Sequence, residues 1–150
     1  KTLHAIRSGF TLSQFEQAVT DLHKRNIPVI THLILGLPGE TKEDMLSSVR
    51  YVGSLPVTGI KLQLLHILKG TDLGTAYMAD PFPLFTLEEY CDLIADCIAL
   101  LPPEIVIHRL TGDGPRNLLL APLWSTDKKR VLNTIQKCLR ERDLWQGKNI

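Results

Sequence analysis

The sequence lacks the features that are typical of a disulfide scaffold, a membrane protein or a strongly charged binding module. Its three cysteines, at positions 91, 97 and 138, have no short spacing and do not indicate a framework of paired disulfides. No apolar run is long enough to cross a bilayer. A formal net charge of +1 gives the chain no general attraction to nucleic acid or acidic membranes. We therefore expect a cytoplasmic protein in a reducing compartment, without membrane contact.

The stretch 29–41 combines a strand, a tight turn and a helix start. Residues 29–37 are apolar on both faces, which predicts a parallel strand that is covered on both sides. The face with His32 is the smaller one toward the end of the strand, so we place it on the side of a site. Gly36 and Gly39 in the following turn let the backbone approach a ligand closely. This turn lies at the carboxyl end of the strand, where α/β folds bind ligands.

The rest of the chain predicts alternation of helices and strands. Capping-box spacing marks two helix starts, at Thr11 with Gln14 and at Thr86 with Glu89, and Thr41 is predicted to cap a third helix, with Asp44 three residues on. The other predicted elements are strands at 60–68 and 105–110, a long irregular segment at 69–85, a run at 118–124 that is either an edge strand or a docked loop, and a last helix capped by Ser125. We predict three clear strands and four helices, and therefore an α/β fold.

Three parallel strands alone would leave two long sheet edges bare, which natural proteins seldom do. Two interpretations remain open at this point: a piece of a larger α/β fold, or a homodimer that buries an exposed sheet edge. The chain opens on Lys1 without a signal-like segment, and we therefore favour the interpretation that it is a piece of a larger α/β fold.

Four segments carry a resemblance to radical SAM enzymes, in which SAM is S-adenosylmethionine. His32, Ile34, Gly36 and Glu40 have the spacing of G-x-I-x-G-x-x-x-E, a pattern on the fifth barrel strand that lies against the adenosyl group, although His32 replaces the first glycine. The other segments read KTLHAIRSGFTLSQFEQAV, LLHILKGTDL and HRLTGDGPRNLLLAPLWSTDKKRVLNTI. The last of these resembles the carboxyl-terminal signature of the YhcC-like group, whose barrel is related to those of Elp3 and oxygen-independent coproporphyrinogen oxidase.

The resemblance implies a partial (β/α) barrel fragment of three to four mostly parallel strands with helices on the outer face. Residues 1–150 would be the carboxyl-terminal half of a (β/α)6 barrel, and residues 104–150 its family-specific strand, loop and helix. The complete protein would be an Fe–S oxidoreductase with a [4Fe–4S] cluster. It would cleave SAM reductively to a 5′-deoxyadenosyl radical that acts on an unknown substrate.

The cluster motif of this family, C-x3-C-x2-C, does not occur in the sequence. Cys91 and Cys97 are six residues apart on one predicted helix. That spacing separates them by about 240° around the helix axis, so they do not converge on a cluster. We therefore expect the chain by itself to hold no cofactor and to be inactive, with the missing amino-terminal half of the same chain as its partner.

The resemblance and the strand pattern together give two sets of candidate site residues. The predicted cofactor-binding residues are Ile34, Gly36, Glu40, Gln63 and His66. The predicted substrate-binding residues are His32, His108, Arg109 and Arg116. Structural explanations stay open for several of them: a core histidine bonded to backbone at 32, a solvated Gln63 beside Lys61, and a turn contact between Asp113 and Arg116.

Two other functions remain as alternatives. The chain could be a small nucleotide- or phosphate-binding α/β module, or an interaction domain that dimerises through its sheet edge or its basic last helix. That helix carries six cations between residues 128 and 142, but acids intervene and no stacking aromatics accompany them, so we expect a solvated face rather than an RNA site. The histidines and cysteines have no zinc-finger or metalloprotease spacing, so we predict no zinc site.

Overall fold

The computed structural model describes residues 9–112 and 114–150. A parallel three-stranded sheet forms its centre, in the order β1–β2–β4, and a short antiparallel pair, β3 and β5, lies beside it. The strands are β1 (Ile30–Leu35), β2 (Gly59–Leu64), β3 (Ile67–Leu68), β4 (Val106–Arg109) and β5 (Leu119–Ala121). The helices are α1 (Leu12–Lys24), α2 (Lys42–Gly53), α3 (Asp72–Ala79), α4 (Leu87–Leu100) and α5 (Lys128–Glu141), with a 3-10 turn at Leu123–Thr126.

Three helices begin where the sequence predicts, because a side chain satisfies the free amides of the first turn. Thr11, Thr41 and Thr86 each cap a helix and form a full capping box with the residue three positions later. The last helix differs from the prediction. Asp127 caps α5 by accepting from the Arg130 amide, whereas the predicted cap, Ser125, donates its hydroxyl to the Pro122 carbonyl at 2.7 Å.

Two other predictions of the sequence analysis are wrong. The predicted strand 60–68 is broken: β2 ends at Leu64, and the chain turns before β3 pairs antiparallel with β5. The segment 69–85 is not wholly irregular, because it contains α3. Gly74 is buried inside α3, where a Cβ would lie 2.0 Å from the Leu68 carbonyl oxygen. This glycine serves close packing rather than a turn.

One face of the parallel sheet is packed against α2 and α4. Ile60 and Leu62 of β2 are fully buried there, and Leu33 and Leu35 of β1 lie beside Leu62 and Leu64 in the ladder. Helix α4 contributes the largest share of this core and α5 packs on its other side. Burying such apolar side chains stabilises the fold by about 1.5–3 kcal/mol each.

The other face of the sheet is open. Ile30, Ile34 and Val106 point to this side and are 43, 40 and 57% exposed. The prediction that β1 is covered on both sides is therefore wrong for the described residues: only the face toward the helices is buried. Exposed β-branched residues on the face of a parallel sheet are unusual, because helices normally cover both faces. We call this side the open face.

Candidate functional site

The turn after β1 combines two glycines in left-handed conformations. Gly36 has a φ of +89° and Gly39 a φ of +80°. A side chain at Gly36 would also meet the ring of Phe85, since a Cβ there would lie 3.0 Å from Cε2. The Glu40 amide donates to the Leu37 carbonyl at 3.1 Å and closes the turn. The backbone therefore runs unusually close to Phe85, and only glycine allows this at position 36.

A cleft of about 570 Å³ lies beyond this turn, between the ends of β1 and β2 and the start of α4. Its volume is in the range of small-molecule sites. Gly36 and Glu40, two of the predicted cofactor residues, line it, together with the aromatic rings of Phe82 and Phe85. Sequence reasoning missed both phenylalanines. The signal for them was a pair of aromatics within a proline-containing loop next to the site.

The charges around this cleft are mainly negative and already engaged. Glu89 accepts from the backbone amide and the hydroxyl of Thr86, and these hydrogen bonds lower its pKa. The one lysine, Lys42, forms a 2.5 Å ion pair with Asp96, which also binds Arg142 at 2.5 Å. An anion would therefore meet carboxylates rather than free cations in this cleft.

The open face brings together residues from all three parallel strands. The Gln63 side-chain oxygen accepts a hydrogen bond from Nδ1 of His32 at 3.1 Å, and Lys61 lies opposite His32 in the ladder. Ile34 is paired with Gln63 in the same register. His108 of β4 lies over Gly59, where a Cβ would be 2.6 Å from its ring. Four predicted site residues, Ile34, Gln63, His32 and His108, thus share this face.

The imidazole of His66 lies away from that row, against the loop that follows β4. The Gly114 amide donates to Nδ1 of His66 at 3.1 Å. A Cβ at Gly112 would be 2.1 Å from Nε2 of the same ring. The structure therefore places this predicted cofactor residue in contact with loop backbone.

The two predicted arginines occupy different positions. Arg109 ends β4 and lies opposite Lys61, where the ladder has a register shift. Arg116 donates to the Thr126 carbonyl at 2.7 Å, so its guanidinium anchors its own loop to the segment before α5. Asp113, predicted as its turn partner, lies outside the described residues. The predicted site residues therefore fall into separate groups: the open face, the cleft and the loop after β4.

The cysteines do not form a cluster site in the described part of the chain. Cys91 and Cys97 are buried in the core, where burial raises the pKa of each thiol to about 12. Cys138 is partly exposed and donates to the Asp92 carboxylate at 3.0 Å. Among the described residues, no three histidine, cysteine or acidic side chains converge as metal ligands would. The cysteines of this chain therefore do not fit an iron–sulfur cluster. In the same residues, no helix is long and apolar enough to cross a membrane.

Comparison with known proteins identifies a matching family and several relatives of this chain. The family described as Radical_SAM C-terminal domain matches residues 57–141, more than half of the chain. The uncharacterized protein YtqA of Bacillus subtilis is 37% identical over 148 residues, which are 99% of this chain and 46% of that protein. Protein YhcC of Escherichia coli K12 is 34% identical over 141 residues, 94% of this chain and 46% of YhcC. The chain thus spans about half the length of these relatives.

A solved structure shows the same fold. The archaeal Elp3 of Methanocaldococcus infernus, with an amino-terminal deletion, superposes with a TM-score of 0.79 at 17% identity. The match covers 97% of this chain and 34% of the Elp3 chain. The prediction of an α/β fragment with a mostly parallel sheet and helices on one side is confirmed. By the family match and the shared fold, the chain belongs to the Radical_SAM C-terminal domain family.

Proposed function

We propose that this chain is the carboxyl-terminal part of a radical SAM enzyme and that its open face forms one wall of the pocket for SAM and substrate. The observation that carries the proposal is the contrast between the two sheet faces. Ile60 and Leu62 are fully buried on one side, whereas Ile30 and Ile34 are 43 and 40% exposed on the other. Exposed apolar rows beside polar groups are typical of ligand sites.

The groups on the open face suit an adenosyl ligand. Ile34 offers an exposed apolar contact for a purine ring beside the polar His32–Gln63 pair. In this pair the Gln63 oxygen is occupied, so its NH2 group remains a donor, while Nε2 of a neutral His32 remains an acceptor. A donor and an acceptor on neighbouring strands suit the ring nitrogen and the amino group of adenine.

The reaction chemistry would come from SAM and a [4Fe–4S] cluster in the complete protein. The residues of this chain would bind and orient SAM and keep water from the reacting atoms. The cluster thiolates would come from a C-x3-C-x2-C motif in the amino-terminal half, because the cysteines here are buried or bound to Asp92. We propose that the chain alone is inactive for this reason.

The missing half would also complete the sheet. β1 and β4 are its two outer strands, and neither has a second neighbour among the described residues. In a barrel these edges would pair with strands of the other half, whereas a homodimer would pair them with a second copy. We favour the first arrangement because it also covers the open face.

The phosphate-binding alternative has less support from the geometry. Thr41 and Thr86 already satisfy amides at the starts of α2 and α4, the two helices beside the cleft. Glu40 and Glu89 line the same cleft, and Lys42 there is paired with Asp96. Anions bind at helix starts where cations are near, and the lysine that lines this cleft is already paired with a carboxylate.

Calorimetric titration of SAM into the complete protein, with its cluster reconstituted, tests the proposal. We expect Ile34→Asp and Gln63→Ala to weaken SAM binding by roughly tenfold or more, the effect of one lost polar or apolar anchor of about 1.4 kcal/mol. Gln17→Ala, an exposed glutamine on α1, is the matched control and should leave the affinity unchanged. Unchanged affinity in both site variants, or a complete protein that binds no SAM, would contradict the proposal.

A further inference from the structure

The loop after β4 is tied to the segment after β2 through one side chain, His66. This histidine follows β2 by two residues, just before β3 begins. The Gly114 amide donates to its Nδ1 at 3.1 Å. Since parallel strands end at the same edge of a sheet, the contact lies at the carboxyl edge, above the end of β2.

The two glycines of this loop leave the space that the imidazole occupies. A Cβ at Gly112 would lie 2.1 Å from Nε2, and a Cβ at Gly114 would lie 2.7 Å from Nδ1. Real Cβ atoms do not approach other atoms so closely, so neither position accepts a side chain while the ring stays in place. Gly112 and Gly114 therefore pack directly against the His66 ring, and a side chain at either glycine would disrupt this contact.

Further contacts fix the same loop on its other side. The Lys69 amide donates to the Leu118 carbonyl at 2.8 Å and continues the β3–β5 pairing. Arg116 donates to the Thr126 carbonyl at 2.7 Å. The loop is therefore held at its far end by backbone and by Arg116. Its near end, at residues 112 and 114, packs on His66.

We propose that His66 is a positioning residue that holds this loop across the carboxyl edge of the sheet and so shapes the end of the open face. The role differs from the cofactor contact expected from the sequence, because the imidazole acts through the loop backbone. The consequence for SAM binding rests on the proposed function, whereas the loop contact itself does not.

The contact requires an acceptor at the position of Nδ1. A neutral imidazole with its proton on Nε2 provides one, and the side-chain oxygen of asparagine lies at nearly the same place. Alanine removes both the acceptor and the ring. His66→Asn should therefore preserve much of the loop contact, whereas His66→Ala should lose it.

Hydrogen–deuterium exchange of the complete protein, read by mass spectrometry in peptides that contain Gly114, tests the proposal. We expect His66→Ala to speed exchange there roughly three- to tenfold, the range for loss of one hydrogen bond. His66→Asn should return exchange close to the wild-type rate. His23→Ala, an exposed histidine on α1, is the matched control and should change nothing in this loop.

Substitution from the loop side gives a second, independent measurement. Gly112→Ala should also speed exchange in these peptides, since its Cβ displaces the ring. Gly9→Ala is the control, because none of the described atoms lies within 4 Å of a Cβ there. The 15N signal of Nδ1 in selectively labelled protein should have the shift of an acceptor nitrogen.

The outcomes separate this proposal from the previous one. If His66→Ala leaves exchange around Gly114 unchanged, or if asparagine rescues no better than alanine, the positioning role is overturned. If the loop loosens as expected but the wild-type protein binds no SAM, the positioning role stands and the proposed function fails. If both hold, His66→Ala should also weaken SAM binding several-fold, with recovery in His66→Asn.

Discussion

His32 on β1 and Gln63 on β2 are joined by a hydrogen bond of 3.1 Å across the open face of the sheet. The bond directs the Gln63 oxygen toward the imidazole and leaves the glutamine NH2 group and the second histidine nitrogen for another partner. Each side chain orients the other through this hydrogen bond, and each keeps one polar group available for a ligand. A pair held in this way is preorganised for a ligand.

The two side chains should act as a unit in SAM binding. We expect His32→Ala and Gln63→Ala each to weaken the affinity of the complete protein roughly tenfold, and the double variant to be little worse than either single variant. A double-mutant cycle by calorimetric titration measures this coupling. Gln17→Ala combined with Gln63→Ala gives the reference for additive effects. Simple additivity of the His32 and Gln63 effects would show that the pair does not act together.

Alanine substitutions at Gly36 and Gly39 distinguish the energetic cost of backbone strain from that of steric crowding. Both have positive φ, but a Cβ at Gly36 would also lie 3.0 Å from Phe85, whereas none of the described atoms is within 4 Å at Gly39. We expect Gly39→Ala to lower the free energy of unfolding by about 1–2 kcal/mol through strain. Gly36→Ala should cost about 2–4 kcal/mol, because overpacking adds to strain.

Urea denaturation measures both effects. Replacing Phe85 by leucine in the Gly36→Ala background should recover part of the difference, since the ring edge is then removed. Equal losses for the two alanine variants would mean that the contact with Phe85 has no energetic role.

The cysteines should differ in reactivity according to burial. Burial raises the pKa of the Cys91 and Cys97 thiols to about 12, so at pH 8 only about one molecule in ten thousand carries either thiolate. Burial and then the Asp92 hydrogen bond also raise the pKa of Cys138. We expect iodoacetamide to modify Cys138 slowly in the native protein and the other two only after unfolding.

Asp92→Asn provides the matched variant. Removing this carboxylate should lower the pKa of Cys138 and speed its alkylation, without exposing Cys91 or Cys97. Peptide mass spectrometry assigns the modified residue. Rapid modification of Cys91 or Cys97 in the folded protein would contradict their placement in the core.

The capping box at the start of α2 should make stability depend on pH below neutrality. Hydrogen bonds from the Thr41 hydroxyl and then its backbone amide lower the pKa of Asp44 below 3.8. A depressed pKa stabilises the fold above the unfolded value, and this stabilisation is lost as the pH falls through the folded value. The difference in stability between wild type and Asp44→Ala should therefore shrink from about pH 6 to about pH 3.

Gln14 is the natural control for this effect. It occupies the same position in the capping box of α1 but is uncharged. Gln14→Ala should destabilise by an amount that does not change with pH, as measured by chemical denaturation across the same range. A pH-independent loss for Asp44→Ala would argue against the ionised capping box.

Local patterns in the sequence predicted the main elements, since the physics of a helix start or a buried strand is local. The capping boxes at Thr11, Thr41 and Thr86 appear where the spacing indicated them. The break at Leu65 was not predictable, because the apolar run continues without a turn residue. What ends β2 is tertiary: β3 pairs with β5, far along the chain. The helix at 72–79 was not predicted because it contains Gly74, a residue type that disfavours helices but here packs against the Leu68 carbonyl.

The candidate site was harder to predict because it depends on which segments meet. Strand alternation correctly grouped His32 with Ile34 and put Gln63 on the polar face of its strand. Alternation could not show that His66 contacts the glycines of the loop after β4 instead of lying on this face. It also could not show that Arg116 donates to the Thr126 carbonyl. Phe85 entered the site through contact with Gly36, and no periodic signal connects those two positions.

Photoaffinity labelling of the complete protein with an azidoadenine analogue of SAM shows whether the open face of β1 and β2, with Ile34 and Gln63, contacts the adenosyl group. We expect label that SAM competes away to appear in the peptides of Ile30–Leu35 or Gly59–Leu64. Labelling of this chain confined to the helical side, at Leu87–Leu100 or Lys128–Glu141, would contradict it.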